Sequence, residues 1–185
     1  MCRNLSAPLP LLVTLLLLVG SLPAGAVCTA GNPNTSVIES SPTSDFVAFG
    51  TTDIAVIHNK TGLTWKRCAE GQAWNGSTCT GTALTMSWAN ALNAANTANI
   101  AAFAGYTDWR LPNVRELMSI VDYSKDPGPT INAAYFPGTR SNTYWASTTY
   151  GQNATLAWRV TFNDGGVNVD LKSINSYVRC VRGGQ

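Results

Sequence analysis

Apolar and polar positions divide this chain into unequal stretches. Leu9 to Val19 is almost wholly apolar and holds four consecutive leucines, Leu15 to Leu18. Residues 28–44 then turn to Ser, Thr, Asn and Pro, a composition that predicts an extended strap with little core of its own. Phe46 to Phe49 and Ile54 to Ile57 predict short strands, and Leu63 to Trp65 resumes extended structure after the turn residues Asn59 to Gly62, which makes a hairpin. From Thr85 to Ala104 the chain is alanine-rich and lacks Gly and Pro, with Trp88, Ala91, Leu92 and Ala95 spaced for one helix face. Ser87 is its predicted N-cap. A second helix follows Pro112, with Asn113 as cap, Glu116 three residues on, and Val114, Leu117, Met118 and Val121 as its apolar stripe. Trp109 to Leu111, between the helices, read as extended. Residues 122–143 carry three prolines and two glycines and predict a long surface loop, with one turn of helix near Ala133. The remainder reads as strands at Tyr144–Thr148, Leu156–Phe162, Val167–Leu171 and Tyr177–Arg182. Trp158, Val160 and Phe162 alternate with Arg159 and Thr161, and Asp164, Gly165 and Gly166 supply hairpin chemistry. Strands, two helices, then strands predict a single α+β domain.

The opening stretch sets the compartment. Arg3, the leucine run and Pro23-Ala24-Gly25-Ala26 have the layout of a cleavable secretory signal spanning 1–26. The run is shorter than the ~20 residues a membrane span needs, so no stable span is expected once it is removed. A lipoprotein signal through Cys28 is the minority reading, because Val27 stands where a small residue is wanted. The expected location is therefore periplasm, cell surface or medium, with a strap at 27–44 and a folded domain at 45–185. In an exported chain, Cys28, Cys68, Cys79 and Cys180 read as two disulfides. Of three possible pairings, Cys68–Cys79 is favoured because the segment between them is polar and Gly-rich. That leaves Cys28–Cys180 to join the two ends. On the chain-entropy model these contribute at most about 3 and 5 kcal/mol. A zinc site is disfavoured by the lack of a C-x-x-C pair and by the single histidine, His58.

Charge adds one asymmetry: residues 27–109 are net −2 and residues 110–185 net +3. That bias suits an acidic partner. Arg140, Arg159, Lys172, Arg179 and Arg182 are candidates for a basic surface, since the planar guanidinium fork matches carboxylate and sulfate. Of the six tryptophans, five fall in predicted regular elements, where core packing is the default. Trp74 alone lies in a polar loop, as a candidate sugar platform. The speculative ligand set is therefore Arg140, Arg159, Lys172 and Trp74. No catalytic set emerges. His58 sits beside a turn and reads as a surface or packing residue. Of the carboxylates Asp108, Glu116, Asp122 and Asp126, Glu116 reads as a helix cap and Asp108 as a partner of Arg110 or Arg115. Neither a cofactor nor a metal is expected.

Seven strings, taken in order, resemble one known family. They are TGLTWKRC (Thr61–Cys68), EGQAWNGSTCTGTA (Glu70–Ala83), SWANAL (Ser87–Leu92), AGYTDWRLPNVREL (Ala104–Leu117), YWAST (Tyr144–Thr148), AWRVTF (Ala157–Phe162) and YVRCVR (Tyr177–Arg182). The chain resembles the Lcl C-terminal domain family, named for a collagen-like bacterial surface protein, over roughly residues 45–183. GYTDWRLPN is the most specific string. The resemblance implies a fold related to C-type lectins and to the formylglycine-generating enzyme, an exported or surface-exposed setting, and adhesion to sulfated glycans. Two departures stand out. There is no collagen-like stalk, which leaves the oligomeric state open. Gly50-Thr51-Thr52-Asp53 replaces the family's Gly-Asp-Gly turn before the TGL-W string. No catalytic residue of the oxidase relatives maps onto this chain. The expected function is thus a non-enzymatic binding or adhesion module for a glycan or polyanion. The alternatives are an envelope component that binds a protein, or an enzyme with an unrecognised site. Nucleic acid is not an expected partner.

Overall fold

A computed structural model describes residues 37–50, 52–125 and 127–184. The predicted signal, Cys28 and most of the strap fall outside them. Eleven strands and two helices follow in chain order. Strands β1 (Phe46–Phe49), β2 (Ala55–His58) and β3 (Leu63–Lys66) form the predicted meander. Its first connection holds register from Phe46↔His58 to Phe49↔Ala55, with Gly50 and Asp53 both at positive φ. Strands β4 (Ala73–Trp74) and β5 (Cys79–Thr80) make a separate two-stranded hairpin. The Cys68–Cys79 disulfide ties it back to the end of β3, as the polar, Gly-rich spacing predicted.

Strand β6 (Thr85–Met86) leads into helix α1 (Trp88–Ile100) and helix α2 (Val114–Met118) follows. Alanine spacing decides how α1 packs. Ala91, Ala95 and Ala98 are buried and let the helix approach closely, while Leu92 of the predicted stripe stays outside. Trp109, Leu111, Trp145 and Val178 fill the space beneath. The indole N–H groups find partners there: Trp145 Nε1 donates to the Met86 carbonyl and Trp88 Nε1 to the Ala146 carbonyl, both at 2.9 Å. Such pairing is what lets large polar-tipped rings sit inside. Ser87 holds the N-cap position of α1 without a side-chain bond.

Strands β7 (Thr143–Thr149), β8 (Leu156–Thr161) and β9 (Val167–Leu171) follow the alternation read from sequence. Gly165 closes the β8–β9 turn at φ +79°. A Cβ there would stand 2.4 Å from the Tyr123 ring, so only glycine fits.

Two expectations change. Among the described residues of 122–142 there is no helix or strand, yet the segment is not a surface loop: Ile131, Phe136, Asp122, Thr130 and Thr139 are buried. Proline and glycine removed the periodicity, yet the segment still carries core side chains, and Ile131 and Phe136 pack with Leu117, Ile120, Tyr144 and Phe162. The expected strand Tyr177–Arg182 is also two strands, β10 (Ser176–Tyr177) and β11 (Val181–Arg182). They lie in different sheets. One sheet runs β1-β2-β3-β11; the other runs β6-β10-β7-β8-β9, with β10 parallel to β7. Residues 178–180 carry the chain from one sheet to the other, and all three are buried.

The described end of the strap is anchored by polar bonds. Ser41 is fully buried and its hydroxyl reaches the Ser119 and Val121 carbonyls. Ser40 bonds the Asp122 carboxylate and the Val121 carbonyl. The observed class is α+β, strand-dominated, with one disulfide. Among the described residues no helix is long and apolar enough to cross a membrane.

Candidate functional site

The string GYTDWRLPN builds a recess. Asn99 of α1 clamps Trp109 on both sides, its Oδ1 accepting from the Trp109 amide at 2.6 Å and its Nδ2 donating to the Trp109 carbonyl at 2.8 Å. Arg110 then pairs with Val181 through two backbone bonds of 2.8 and 2.9 Å. Pro112 exposes its carbonyl to the Ser147 amide at 2.7 Å. Asn113 caps α2 as predicted: its side chain accepts from the Glu116 amide at 2.9 Å, and Glu116 accepts from the Asn113 amide at 2.8 Å. The remaining capacity of Glu116 faces Arg110. Two parallel bonds of 2.7 Å join them, and the Arg110 guanidinium also reaches the Gly183 carbonyl at 2.8 Å. Leu92, Arg110, Leu111, Asn113, Glu116, Ser147 and Gly184 line an open recess of about 430 Å³, within the volume range of small-ligand sites.

Inside this recess the charges cancel. Burial alone favours neutral Glu116, but the Arg110 and Asn113 bonds outweigh it and hold the carboxyl below the usual glutamate range. The same bond raises Arg110 against the opposing cost of burial. What stays free for a ligand is the Asn113 side-chain amide, the Ser147 hydroxyl and the apolar wall of Leu92 and Leu111.

A second cluster lies at the β4–β5 hairpin. The Arg67 guanidinium stacks on the Trp74 ring at 4.3 Å and faces the Tyr135 ring at 5.8 Å. Arg67 is only 5% exposed, and its side chain makes no hydrogen bond or ion pair to any described residue; its Nε is buried without a partner. Burial pulls its affinity for a proton down, with Asp53 pulling the other way from beyond ion-pair distance. Arg179, fully buried next door, differs. Its guanidinium donates to the Lys66 carbonyl (2.9 Å), to the Arg67 carbonyl and to Thr139 Oγ1 (2.8 Å).

No hydrogen bond, ion pair or cation–π contact joins any two of the four predicted ligand residues. Arg159 is neutralised by Asp170 at 2.5 Å and bonds Ser176. Lys172 sits over the Trp88 ring at 4.0 Å and donates to Thr149. Arg140 is exposed, with its backbone N–H on the Tyr144 hydroxyl. Trp74 is half-buried beneath Arg67, a residue that sequence reasoning passed over. Its signal was the Lys-Arg-Cys run at the start of the disulfide loop.

Three further expectations can be set beside the structure. Cys180 is fully buried behind α1 and is bonded to no described cysteine, and its Sγ lies 3.3 Å from Glu70 Oε1. The expected Cys28–Cys180 bridge depends on Cys28, which lies outside the described residues. Burial, and then the neighbouring Glu70 carboxylate, raise the Cys180 pKa well above that of an ordinary thiol. Asp108 pairs with Arg182 at 2.7 Å, not with Arg110 or Arg115, because Glu116 already occupies Arg110. His58 takes the packing role of the two expected for it: it is buried, stacked on Phe46 at 4.8 Å, with Nδ1 2.9 Å from the Thr61 hydroxyl.

No curated protein matches the chain significantly. The family model described as the Lcl C-terminal domain matches residues 54–182. That span holds the Arg67 cluster and all of the recess lining but Gly184, and on it the chain belongs to the Lcl C-terminal domain family.

Proposed function

We propose that this domain is a non-enzymatic binding module that works outside the cytoplasm and recognises a glycan, acidic glycans included. The recess on Arg110 to Asn113 carries the reading. It combines an apolar wall with an amide and a hydroxyl, while its one ion pair is internally satisfied. Such a surface suits hydroxyl-rich ligands, which offer both apolar faces and paired donors and acceptors. The fold kinship to C-type lectins implied by the resemblance supports the same class, and the signal-like first 26 residues support export. The unpaired cations Arg140 and Lys172 extend the range to acidic sugars.

A glycan array probed with the purified protein tests this. Binding to at least one sugar is expected, weakened tenfold or more by Ser147→Phe, which fills the recess, with an unchanged melting temperature. A folded protein that binds no sugar, or binding indifferent to Ser147→Phe, overturns the proposal. Retention on heparin at low salt, shortened by neutralising Arg140 and Lys172, separates acidic from neutral ligands.

A further inference from the structure

A guanidinium carries five N–H donors and a permanent charge. Covered by other groups, it is costly unless those donors are used. Arg110 and Arg159 meet carboxylates, Arg182 meets Asp108, and Arg179 meets two carbonyls and a hydroxyl. Among the described residues Arg67 alone of these meets no carboxylate, carbonyl or hydroxyl, although it is 95% covered; its Nε, like those of Arg159 and Arg179, is buried without a partner.

Its cover is thin. Trp74 and Tyr135 are themselves half-buried side chains at the surface. Trp74 belongs to a two-stranded hairpin that pairs with no other strand, and the Cys68–Cys79 bond fixes that hairpin beside Arg67. The backbone of Arg67 is held from within: its amide donates to the Ile54 carbonyl and its carbonyl accepts from Arg179. The result is an oriented cation, stacked on an indole, with a second buried cation behind it and its hydrogen-bonding edge unanswered. Stacking on a ring face leaves the in-plane N–H groups of guanidinium available, and those are the groups that make the two-pronged bond to an oxyanion.

We propose that Arg67, with Trp74 as its platform, receives an oxyanion of a ligand: a carboxylate, sulfate or phosphate group. The site does not depend on the recess, and it stands if the sugar reading fails there. Trp74 acquires a definite part. It orients the guanidinium and screens it from water, and it shifts at the hairpin to admit the anion.

The probes are sodium sulfate, phosphate and acetate, each compared with sodium chloride at equal ionic strength, so that general screening cancels. At least one should give a saturable rise in melting temperature of about 4 °C or more, with a chemical-shift change at the Arg67 Nε–H resonance that saturates at the same concentrations. A response to acetate alone identifies a planar carboxylate ligand; a response to sulfate or phosphate identifies a tetrahedral one. Arg67→Met should lose the rise and Trp74→Ala should weaken it severalfold. If no anion exceeds chloride, or if Arg67→Met responds like the parent protein, the proposal fails. Should Arg67→Met not fold, the parent spectrum decides: perturbation confined to other arginines overturns the proposal.

Discussion

Arg110 and Arg67 place the same side chain in opposite circumstances. Arg110 is partly open to solvent, yet every strong demand it makes is met: both oxygens of Glu116 and the Gly183 carbonyl lie at 2.7–2.8 Å. Arg67 is more deeply covered, and among the described residues its guanidinium meets only two aromatic faces. The first is architecture, since it joins the segment after α1 to α2 and to the chain beyond β11. The second is an unanswered charge. Exposure alone ranks Arg110 above Arg67 as a candidate ligand contact. Hydrogen-bond satisfaction reverses that order, because a buried donor without a partner costs about 1–3 kcal/mol and a charged one more.

Arg179 sets the scale for that comparison. Arg179→Ala takes a donor from two carbonyls and from the Thr139 hydroxyl, which keeps its bond to the Phe136 carbonyl, and opens a cavity. Urea denaturation should show a loss of about 3 kcal/mol or more. A loss under about 1 kcal/mol would mean that satisfied and unsatisfied arginines weigh alike here. Glu116→Gln comes next. It breaks the bidentate pair and weakens the capping box, for about 1–2 kcal/mol once partial exposure of the pair is discounted. This term has a pH signature. The folded-state pKa of Glu116 lies below its ordinary value of 4.5. The stabilisation is therefore complete above the unfolded-state value and is lost as pH falls through the folded one. The stability gap between parent and Glu116→Gln should be full at pH 7 and close in strong acid; a gap constant with pH contradicts the ion-pair account. Arg67→Met has the smallest expected effect, within about 0.5 kcal/mol of the parent in chloride, because the lost cation–π stacking is offset by removal of an unpaired buried donor. A loss comparable to Glu116→Gln would show Arg67 to be structural.

The Asn113 cap, the β1–β3 meander, the β8–β9 alternation and the Cys68–Cys79 pair were all legible in the sequence, because each depends on near neighbours along the chain. The roles of Phe136 and Ile131 were not, since a segment broken by proline loses the period that reveals burial. The burial of Cys180 behind Ala91 and Ala95 is a tertiary fact with no local pattern. The isolation of Arg67 is tertiary too: it lies in the acidic first half, while Arg159, in the basic second half, proves to be neutralised by Asp170.

The short passage from Ser176 to Arg182 has a kinetic consequence. Among the described strands β6 pairs only with β10, and β11 completes the outer side of β3. These seven residues pair with partners near positions 64, 85 and 144, so neither sheet closes until a distant part of the chain arrives. Closure of such long loops is slow. A polypeptide shortened before Ser176 lacks the seam that sews its two halves together, and its half-built sheets keep open borders ready to join those of another chain.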